Sequence, residues 1–419
     1  MISRPSMSRR EDLFLAAVMI AAWLAVMAMA ANIWLKPWPD ILFRADFVSY
    51  VTAASMVRDG DAPAMFDIEA QRSFQKNLHS VMDSSTATQF PADLSPFYNP
   101  PIMAYLFVPL TILPMPLAYV VWNVISLAML VAAVAIPLRG HPRGASLAAL
   151  LVTFGGVAVT LFEGQANAIF VLALSLAMLL MISGRPLAAG TLLGLIWLKP
   201  QYAVVFVLVF IVKRRWTELT GMTVVGLALT ALSVGTVGAR GVAGYLAVMS
   251  RIGGYYPPPG FRISPQAMAN WRGLPVNLAP GISETAGYAL MVGLGVATVL
   301  LSLWVWRGSW DPASPRFAIQ MLVVVLTSII VSPHSHFHGT VLLLPPLAMM
   351  LRESGGGLLA SRRGKAAASI GYALALVAIP MRSLSWLFVP FFLGVIAFVV
   401  LMSLQPGTLT EADLVRAEG

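Results

Sequence analysis

Short polar segments interrupt this chain between long apolar stretches, and their residue types are those of acid–base and phosphate chemistry. The first contains Asp46, about ten residues beyond the first apolar stretch and followed by aromatic residues. A carboxylate at the edge of apolar surface is a suitable general base. An aspartate in this position is also a common helix cap. Both interpretations of Asp46 stay open from the residues alone.

The tightest polar interruption is Glu163-Gly164-Gln165-Ala166-Asn167, which separates two apolar stretches. A plain surface turn needs only Gly, Ser or Asn. Strongly polar side chains are expensive so close to a membrane and usually mark functional sites. The segment therefore favours a pocket lining over a simple turn.

Lys199 interrupts the apolar run 187–212 together with Pro200. Proline ends a helix and its predecessor avoids helical geometry, which predicts two half-helices that meet here. A lysine at such a break either extends to the membrane interface or holds an anion. Arg272, next to Trp271 in Asn270-Trp271-Arg272, suits a phosphate or a sugar face, although surface exposure is the commoner explanation.

Two further segments complete the set. Tyr98 and Asn99 precede Pro100-Pro101 where a long loop returns to apolar sequence, and a proline pair there also simply ends a helix. A late turn holds His334, His336 and His338, three of the chain's five histidines. Their spacing of two is unlike that of helical zinc ligands, and no second ligand cluster stands out, so we predict no metal site. Proton transfer or hydrogen bonding to phosphate is the better interpretation of this histidine turn.

The elements that position these residues are membrane helices. The 419-residue chain is 58% apolar and 11% charged, against roughly 45–50% and 25% in soluble domains. Crossing a bilayer takes about 20 helical residues. We count twelve apolar segments, at 13–35, 117–137, 145–162, 166–182, 187–198, 200–212, 217–237, 284–306, 316–332, 337–351, 366–380 and 384–403.

The positive residues predict the orientation of these segments. With 102–115 as a re-entrant or interfacial helix, because Pro109 and Pro114 interrupt it, most short basic loops lie on the cytoplasmic side. We predict one domain, 1–419, with outer loops 36–101 and 238–283, a cytoplasmic tail 404–419, and a site facing the periplasm or extracytoplasmic space. The net charge of +9 lies in short loops, which argues against nucleic acid as a partner. The chain has no cysteine, hence no disulfide or thiolate site.

The order of the motifs resembles a known family. Asp-Phe-x-x-Tyr, Tyr-x-Pro-Pro, Gly-Gln-x-Asn, Leu-Lys-Pro before a basic Arg-Arg-Trp, and a late Ser-Pro-x-Ser histidine turn are similar to the polyprenyl-phosphate-mannose-dependent mannosyltransferases, glycosyltransferase family 87 of the GT-C superfamily. The resemblance covers most of the chain. It implies an all-α polytopic GT-C-like bundle in the cell membrane.

The implied activity is an inverting transfer of one hexose, with mannose as the first candidate, from a polyprenyl-phosphate donor to a glycolipid or glycan acceptor, with no cofactor. The resemblance implies Asp46 as the base and His338 as a second catalytic residue. Lys199, Arg272 and His336 would bind the donor phosphate. Sugar or acceptor contacts would come from Tyr98, Asn99, Glu163, Gln165, Asn167 and Asn270, with Tyr98 stacking on a sugar ring. Glu163, Gln165 and Asn167 would either contact sugar hydroxyls or hold the first loop.

The histidine turn departs from the family's Ser-Pro-x-Ser-Trp-x-His-His pattern. His338 aligns with the first histidine, His336 replaces the tryptophan and Gly339 replaces the second histidine. The alternatives are a lipid-carrier flippase or transporter, which would place polar groups near the midplane, and a GT-C enzyme for another sugar or a whole glycan.

Overall fold

The computed structural model describes residues 42–82, 94–353 and 382–404, without positions 44 and 308, and a few single residues at 17, 20, 21, 24, 370 and 371. The segments predicted at 13–35 and 366–380 and the tail therefore lie almost entirely outside the described residues. Within the described ranges the fold is all-α, and the only β-type pairings there are two isolated bridges.

The α-helices, numbered in chain order, are α1 Phe47–Arg58, α2 Ile68–Met82, α3 Ile102–Tyr105, α4 Met115–Ala135, α5 Gly144–Val152, α6 Gly155–Phe162, α7 Asn167–Ile182, α8 Pro186–Leu193, α9 Pro200–Val212, α10 Trp216–Ile252, α11 Gly273–Leu278, α12 Glu284–Val305, α13 Pro315–Val331, α14 Leu344–Glu353 and α15 Phe388–Leu404. Within the described ranges six short 3₁₀ helices accompany them, at Ala62–Ala64, Val108–Ile112, Gly194–Leu198, Pro265–Ala267, Phe337–Leu343 and Arg382–Leu387.

Three described helices, α4, α10 and α12, are long and apolar enough to cross a membrane, and a fourth span results if α5 and α6 are counted together. Large apolar side chains on these helices face outward, among them Val124, Leu227 and Leu300. Soluble proteins rarely expose such surface, whereas lipid covers it at no cost. This outer surface is that of a membrane protein.

Several predicted segments differ from the observed helices. The span predicted at 145–162 is two helices, α5 and α6, which meet at an angle of 53°. Helix α10 continues past the predicted loop start to Ile252, with a kink at Gly238, where φ is +61°. The backbone of Gly238 is non-helical, with a positive φ that glycine adopts readily, and a second helical stretch follows it to Ile252. The first part of the predicted outer loop 238–283 is thus helical. The segment 102–115 forms two short helical pieces, too short to cross a bilayer.

The break at Lys199-Pro200 is present as predicted. The 3₁₀ helix Gly194–Leu198 ends at Lys199, and α9 begins at Pro200. Proline fits this first helical position because its missing N–H would have no partner there. The two half-helices leave the lysine side chain at their junction.

Helix α1 is deeply buried over most of its length, with every residue from Phe47 to Met56 buried. Tyr50 stacks on Phe107 at 4.5 Å between ring centroids, and Phe107 also contacts Trp122 at 4.5 Å. Aromatic pairs of this kind add to the stability gained from burial alone. The start of α1, where Asp46 lies, is therefore held by the core.

Helices α8 and α10 approach each other through glycines. A Cβ atom on Gly190 would lie 2.0 Å from the carbonyl oxygen of Glu218, and one on Gly221 would lie 2.6 Å from the carbonyl oxygen of Leu187. The backbones themselves are in contact here, so no side chain can be accommodated without separating the helices.

We expect Gly190→Ala to destabilise the folded protein by about 1–3 kcal/mol, the usual cost of overpacking a tight contact. The measurement is thermal unfolding of purified protein in detergent. Gly235→Ala on the same helix pair is the control, because nothing lies within 4 Å of its Cβ position. An unchanged melting temperature for Gly190→Ala would show that the backbones of α8 and α10 leave room for a Cβ atom and contradict this close contact.

Candidate active site

A polar chamber with about 560 Å³ of empty space, which includes its opening to solvent, lies between the ends of several helices. Most of its lining comes from the segments singled out in the sequence. The lining residues are Asp46, Ser49, Tyr50, Ser95, Pro96, Tyr98, Asn99, Gln165, Lys199, Gln201, Tyr202, Arg262, His334, His336 and His338.

Asp46 occupies the N-cap position of α1, but its side chain makes no cap hydrogen bond. Glu163 takes over that role: its carboxylate accepts from the backbone N–H of Asp46 at 3.2 Å, and its carbonyl accepts from the N–H of Phe47 at 2.9 Å. An acidic group at a helix N-terminus is favourable because it satisfies unpaired N–H groups there. Glu163 thus holds the first loop and does not line the chamber, while the half-buried carboxylate of Asp46 does.

The turn that carries Glu163 is rigid. Gly164 has φ +60°, and a Cβ atom there would lie 2.7 Å from Phe47. The indole N–H of Trp122 donates to the carbonyl of Gly164 at 2.9 Å, and the Tyr119 hydroxyl donates to the carbonyl of Phe162 at 2.7 Å. Only glycine fits this close, left-handed turn, which presents Gln165 to the chamber.

Lys199 is the centre of a hydrogen-bond network. Its Nζ donates to Oε1 of Gln165 at 2.7 Å and to Oδ1 of Asn167 at 2.9 Å. The Tyr50 hydroxyl donates to the same Gln165 oxygen at 3.0 Å, and Nε2 of Gln165 donates to Oδ2 of Asp46. An uncharged amide therefore links the buried lysine to the aspartate.

Asn167 extends this network to the histidine turn. It is fully buried and does not line the chamber, and its Nδ2 lies 2.9 Å from Nδ1 of His338 and 3.0 Å from the carbonyl oxygen of His338. Thr160 also donates to that carbonyl, at 3.2 Å. The hydrogen-bonded chain runs without interruption from Asp46 to His338.

Two buried glutamines of α2, which the sequence analysis did not single out, hold the segment before Tyr98. Gln71 accepts from the N–H of Phe97 at 2.8 Å, and Gln75 donates to the carbonyl of Ser95 at 2.9 Å. A glutamine amide can pair with a backbone in the same way as a neighbouring strand. Their spacing of four residues on one helix face was the signal available in the sequence.

Tyr98 and His334 form a close pair at the edge of the chamber, with 2.6 Å between Oη and Nε2. Burial lowers the pKa of His334 well below its usual range, and the positive charges of His336, Arg272 and Lys199 act in the same direction. Burial and the negative charge of Asp46 raise the pKa of Tyr98 well above its usual value. Both groups are therefore neutral, and their contact occupies the Tyr98 hydroxyl, which leaves the ring as the part of Tyr98 able to stack on a sugar.

The loop between α10 and α11 joins the separate parts of the site. Its Gly260 accepts from the N–H of Leu94 at 2.9 Å, and its Ala269 donates to the carbonyl of Ser335 at 2.9 Å. Asn270 does not line the chamber: its side chain donates to the carbonyl of Ser332 at 2.8 Å and accepts from the N–H groups at the start of α11. Its geometry is that of a structural link between two loops.

Arg272 does not line the polar chamber either. Its guanidinium donates to the carbonyl of Tyr255 at 2.9 Å and to that of Gly254, and it borders a second cavity of about 550 Å³. Largely apolar groups line this cavity. Its lining residues are Tyr98, Asn99, Pro100, Leu198, Pro200, Gln201, Tyr245, Met249, Ile252, Gly253, Arg272, Pro333 and His334. Four of them, Tyr98, Asn99, Gln201 and His334, also line the chamber, so the two cavities are adjacent.

Gly339, where the chain departs from the family pattern, lies against Tyr202. A Cβ atom at this position would be 2.6 Å from the Tyr202 hydroxyl, which hydrogen-bonds to Ser335 at 3.2 Å. The fully buried tyrosine thus fills the space next to position 339. The sequence analysis did not single out Tyr202, because its role depends on a residue 137 positions away in the chain.

Fold and site together define a helical membrane protein with a polar chamber beside an apolar cavity. The sequence profile of glycosyltransferase family 87 matches residues 97–333. Because this match covers more than half of the chain, the protein belongs to glycosyltransferase family 87. The matched range includes Tyr98, Gln165 and Lys199, whereas Asp46 and His338 lie outside it.

Two curated relatives carry the same name, polyprenol-phosphate-mannose-dependent alpha-(1-2)-phosphatidylinositol pentamannoside mannosyltransferase. The chain is 29% identical to the protein of Mycolicibacterium smegmatis over 280 residues, 64% of this chain and 63% of the relative. It is 27% identical to that of Mycobacterium tuberculosis over 274 residues, 62% and 59% of the two chains. The chain thus spans less than two thirds of either relative. No solved structure matches it.

Proposed function

We propose that this protein is an inverting hexosyltransferase that moves one sugar, mannose in the first instance, from a polyprenyl-phosphate donor to a hydroxyl of a glycolipid or glycan acceptor. One observation carries the proposal: a half-buried carboxylate, Asp46, and a buried ammonium group, Lys199, share one amide in a chamber next to an apolar cavity. Family membership supports a glycosyltransferase over the transporter alternative.

In this reaction the carboxylate of Asp46 takes the proton of the acceptor hydroxyl as its oxygen attacks the anomeric carbon. The bond between that carbon and the phosphate oxygen breaks, and the leaving polyprenyl phosphate takes the bonding electrons. One base suffices, because a single displacement inverts the anomeric centre. Gln165 donates to one carboxylate oxygen of Asp46 and thereby orients it.

The leaving phosphate gains a negative charge, which a cation must stabilise. Lys199 is only 6% exposed, and both of its hydrogen-bond partners are neutral amides. A buried charge is costly unless an opposite charge compensates it. A donor phosphate at Lys199 would supply that charge, whereas Arg272, which is bonded to backbone carbonyls, is better suited to shaping the second cavity.

The apolar cavity fits the lipid part of the donor. Leu198, Met249 and Ile252 contribute to its walls, and it meets the polar chamber at Tyr98 and His334. Each CH₂ group kept out of water is worth about 0.8 kcal/mol, so a prenyl chain favours such a surface. The sugar would occupy the chamber, with the ring of Tyr98 available for stacking and Asn99 for hydrogen bonds.

We further propose a GT-C-like arrangement of about twelve membrane segments, with the chamber facing the periplasm or extracytoplasmic space. The distribution of basic residues supports this orientation.

The acceptor is proposed only by class, a membrane glycolipid or glycan, because His336 and Gly339 differ from the family pattern beside the chamber. The reaction as proposed needs no cofactor and no metal ion, and Lys199, His336 and His338 would serve the phosphate.

We expect Asp46→Asn to lower transfer at least 100-fold, since a general base contributes about 10²–10⁴ in rate. The assay uses purified protein, radiolabelled polyprenyl-phosphate mannose and membrane lipids, with thermal unfolding as a check on folding. Asp59→Asn, at the other end of α1 and exposed, is the matched control and should retain activity. Near-normal turnover by Asp46→Asn would exclude this residue as the base.

Lys199→Met should raise the donor concentration needed for half-maximal rate by tenfold or more, because the variant lacks the buried charge that binds phosphate. The side chain keeps its approximate length, so packing changes little. Lys76→Met, on the exposed face of α2, is the control. If the donor dependence of Lys199→Met matches that of the wild type, another group binds the phosphate.

Cysteine labelling tests the proposed orientation, since the chain has no native cysteine. A single cysteine at Gly281, in the predicted second outer loop, should react with a membrane-impermeant reagent in intact cells. One at Arg214, in a predicted cytoplasmic loop, should react only after permeabilisation. The opposite pattern would reverse the proposed topology.

A further inference from the structure

The hydrogen bonds around Lys199 have a direction that the donor and acceptor chemistry determines. A lysine ammonium group has only donors. Its Nζ lies 2.7 Å from Gln165 and 2.9 Å from Asn167, so the oxygen of each amide must face the lysine. The NH₂ group of each amide therefore points away from it, toward Asp46 in one case and toward His338 in the other.

A second contact fixes Asn167 in the same orientation. Its Nδ2 lies 3.0 Å from the backbone carbonyl oxygen of His338, which can only accept. A flipped amide would bring two oxygen atoms together at that distance and would lose the bond to Lys199. The two contacts are independent, and they agree on the orientation.

The orientation of Asn167 determines the protonation of the His338 ring. The same NH₂ group lies 2.9 Å from Nδ1 of His338. Because the amide is the donor, Nδ1 must be the acceptor and carries no proton. A neutral imidazole has one N–H, which is then on Nε2.

We propose that Asn167 and Lys199 act as positioning residues that hold His338 in the Nε2–H tautomer. This separates the roles of the two titratable groups at the ends of the network. Asp46 receives a hydrogen bond from Gln165 and remains a proton acceptor, whereas His338 presents an N–H donor on a ring that lines the chamber. The function proposed for this N–H, as a hydrogen-bond donor to the phosphate of the substrate, rests on the proposed transfer reaction. The assignment of the tautomer does not rest on that reaction.

Nitrogen NMR tests the tautomer directly. The full-length protein is labelled with ¹⁵N-histidine and reconstituted in nanodiscs, and His338→Gln identifies the His338 signals among the five histidines. We expect an unprotonated Nδ1 and a protonated Nε2 at neutral pH in the wild type. A protonated Nδ1 in the wild type would overturn the inference, and this result requires no variant to fold.

Asn167→Asp tests whether Asn167 sets the tautomer of His338. The side chain keeps its shape but offers only acceptors, so the His338 Nδ1 should become protonated and the transfer rate should fall by roughly tenfold or more. Asn77→Asp adds the same charge on the exposed face of α2 and should leave the His338 signals unchanged. A folded Asn167→Asp protein with wild-type His338 signals would show that Asn167 does not set the tautomer.

The two proposals fail in different ways. If the wild type shows the expected tautomer but transfers no sugar from any polyprenyl-phosphate donor, the proposed function is wrong and the positioning role stands. If the wild type transfers sugar but His338 has a protonated Nδ1, the positioning role is wrong and the proposed function stands.

Discussion

The structure of the site depends on one buried charge, that of Lys199, placed at the junction of two half-helices. Among the described residues no acidic group is in direct hydrogen-bond contact with this charge, and the oxygens of Gln165 and Asn167 both face it. A direct ion pair with Asp46 would neutralise both groups and leave neither available to a substrate. The intervening amide keeps the carboxylate and the ammonium close but separate.

The surrounding architecture serves to hold the members of this network in position. Helix α1 is buried among aromatic rings, Glu163 satisfies its N-terminal N–H groups, and the turn at Gly164 is packed against Phe47. The backbone pairing of the loops at 94 and 260 and at 269 and 335 then joins the remaining walls. A polar side chain in apolar surroundings needs hydrogen bonds to offset the free-energy cost of leaving water. That requirement explains why so many buried glutamines and asparagines occur around one chamber.

Sequence reasoning was most successful where a physical constraint acts locally. The break at Lys199-Pro200 follows from the geometry of proline, and the apolar outer faces follow from composition. It was least successful where tertiary contacts override local preferences. A second helical stretch follows the non-helical residue Gly238 and extends to Ile252 within the predicted outer loop, and the apolar segment at 145–162 bends into two helices. Asn270 and Arg272 each donate to a backbone carbonyl, a structural role that the sequence does not reveal, and their contacts with substrate stay predictions.

The sequence by itself determined the kind of molecule and the chemistry available to it: apolar helices, and a few segments with carboxylate, amide, ammonium and imidazole groups. The tertiary structure decided which of these groups share a chamber and which way their hydrogen bonds run. Asp46 meets Gln165 across 119 residues of chain, and Asn167 meets His338 across 171. Residue types fix what can donate or accept, but only the packing of distant segments sets the distances at which a hydrogen bond forms.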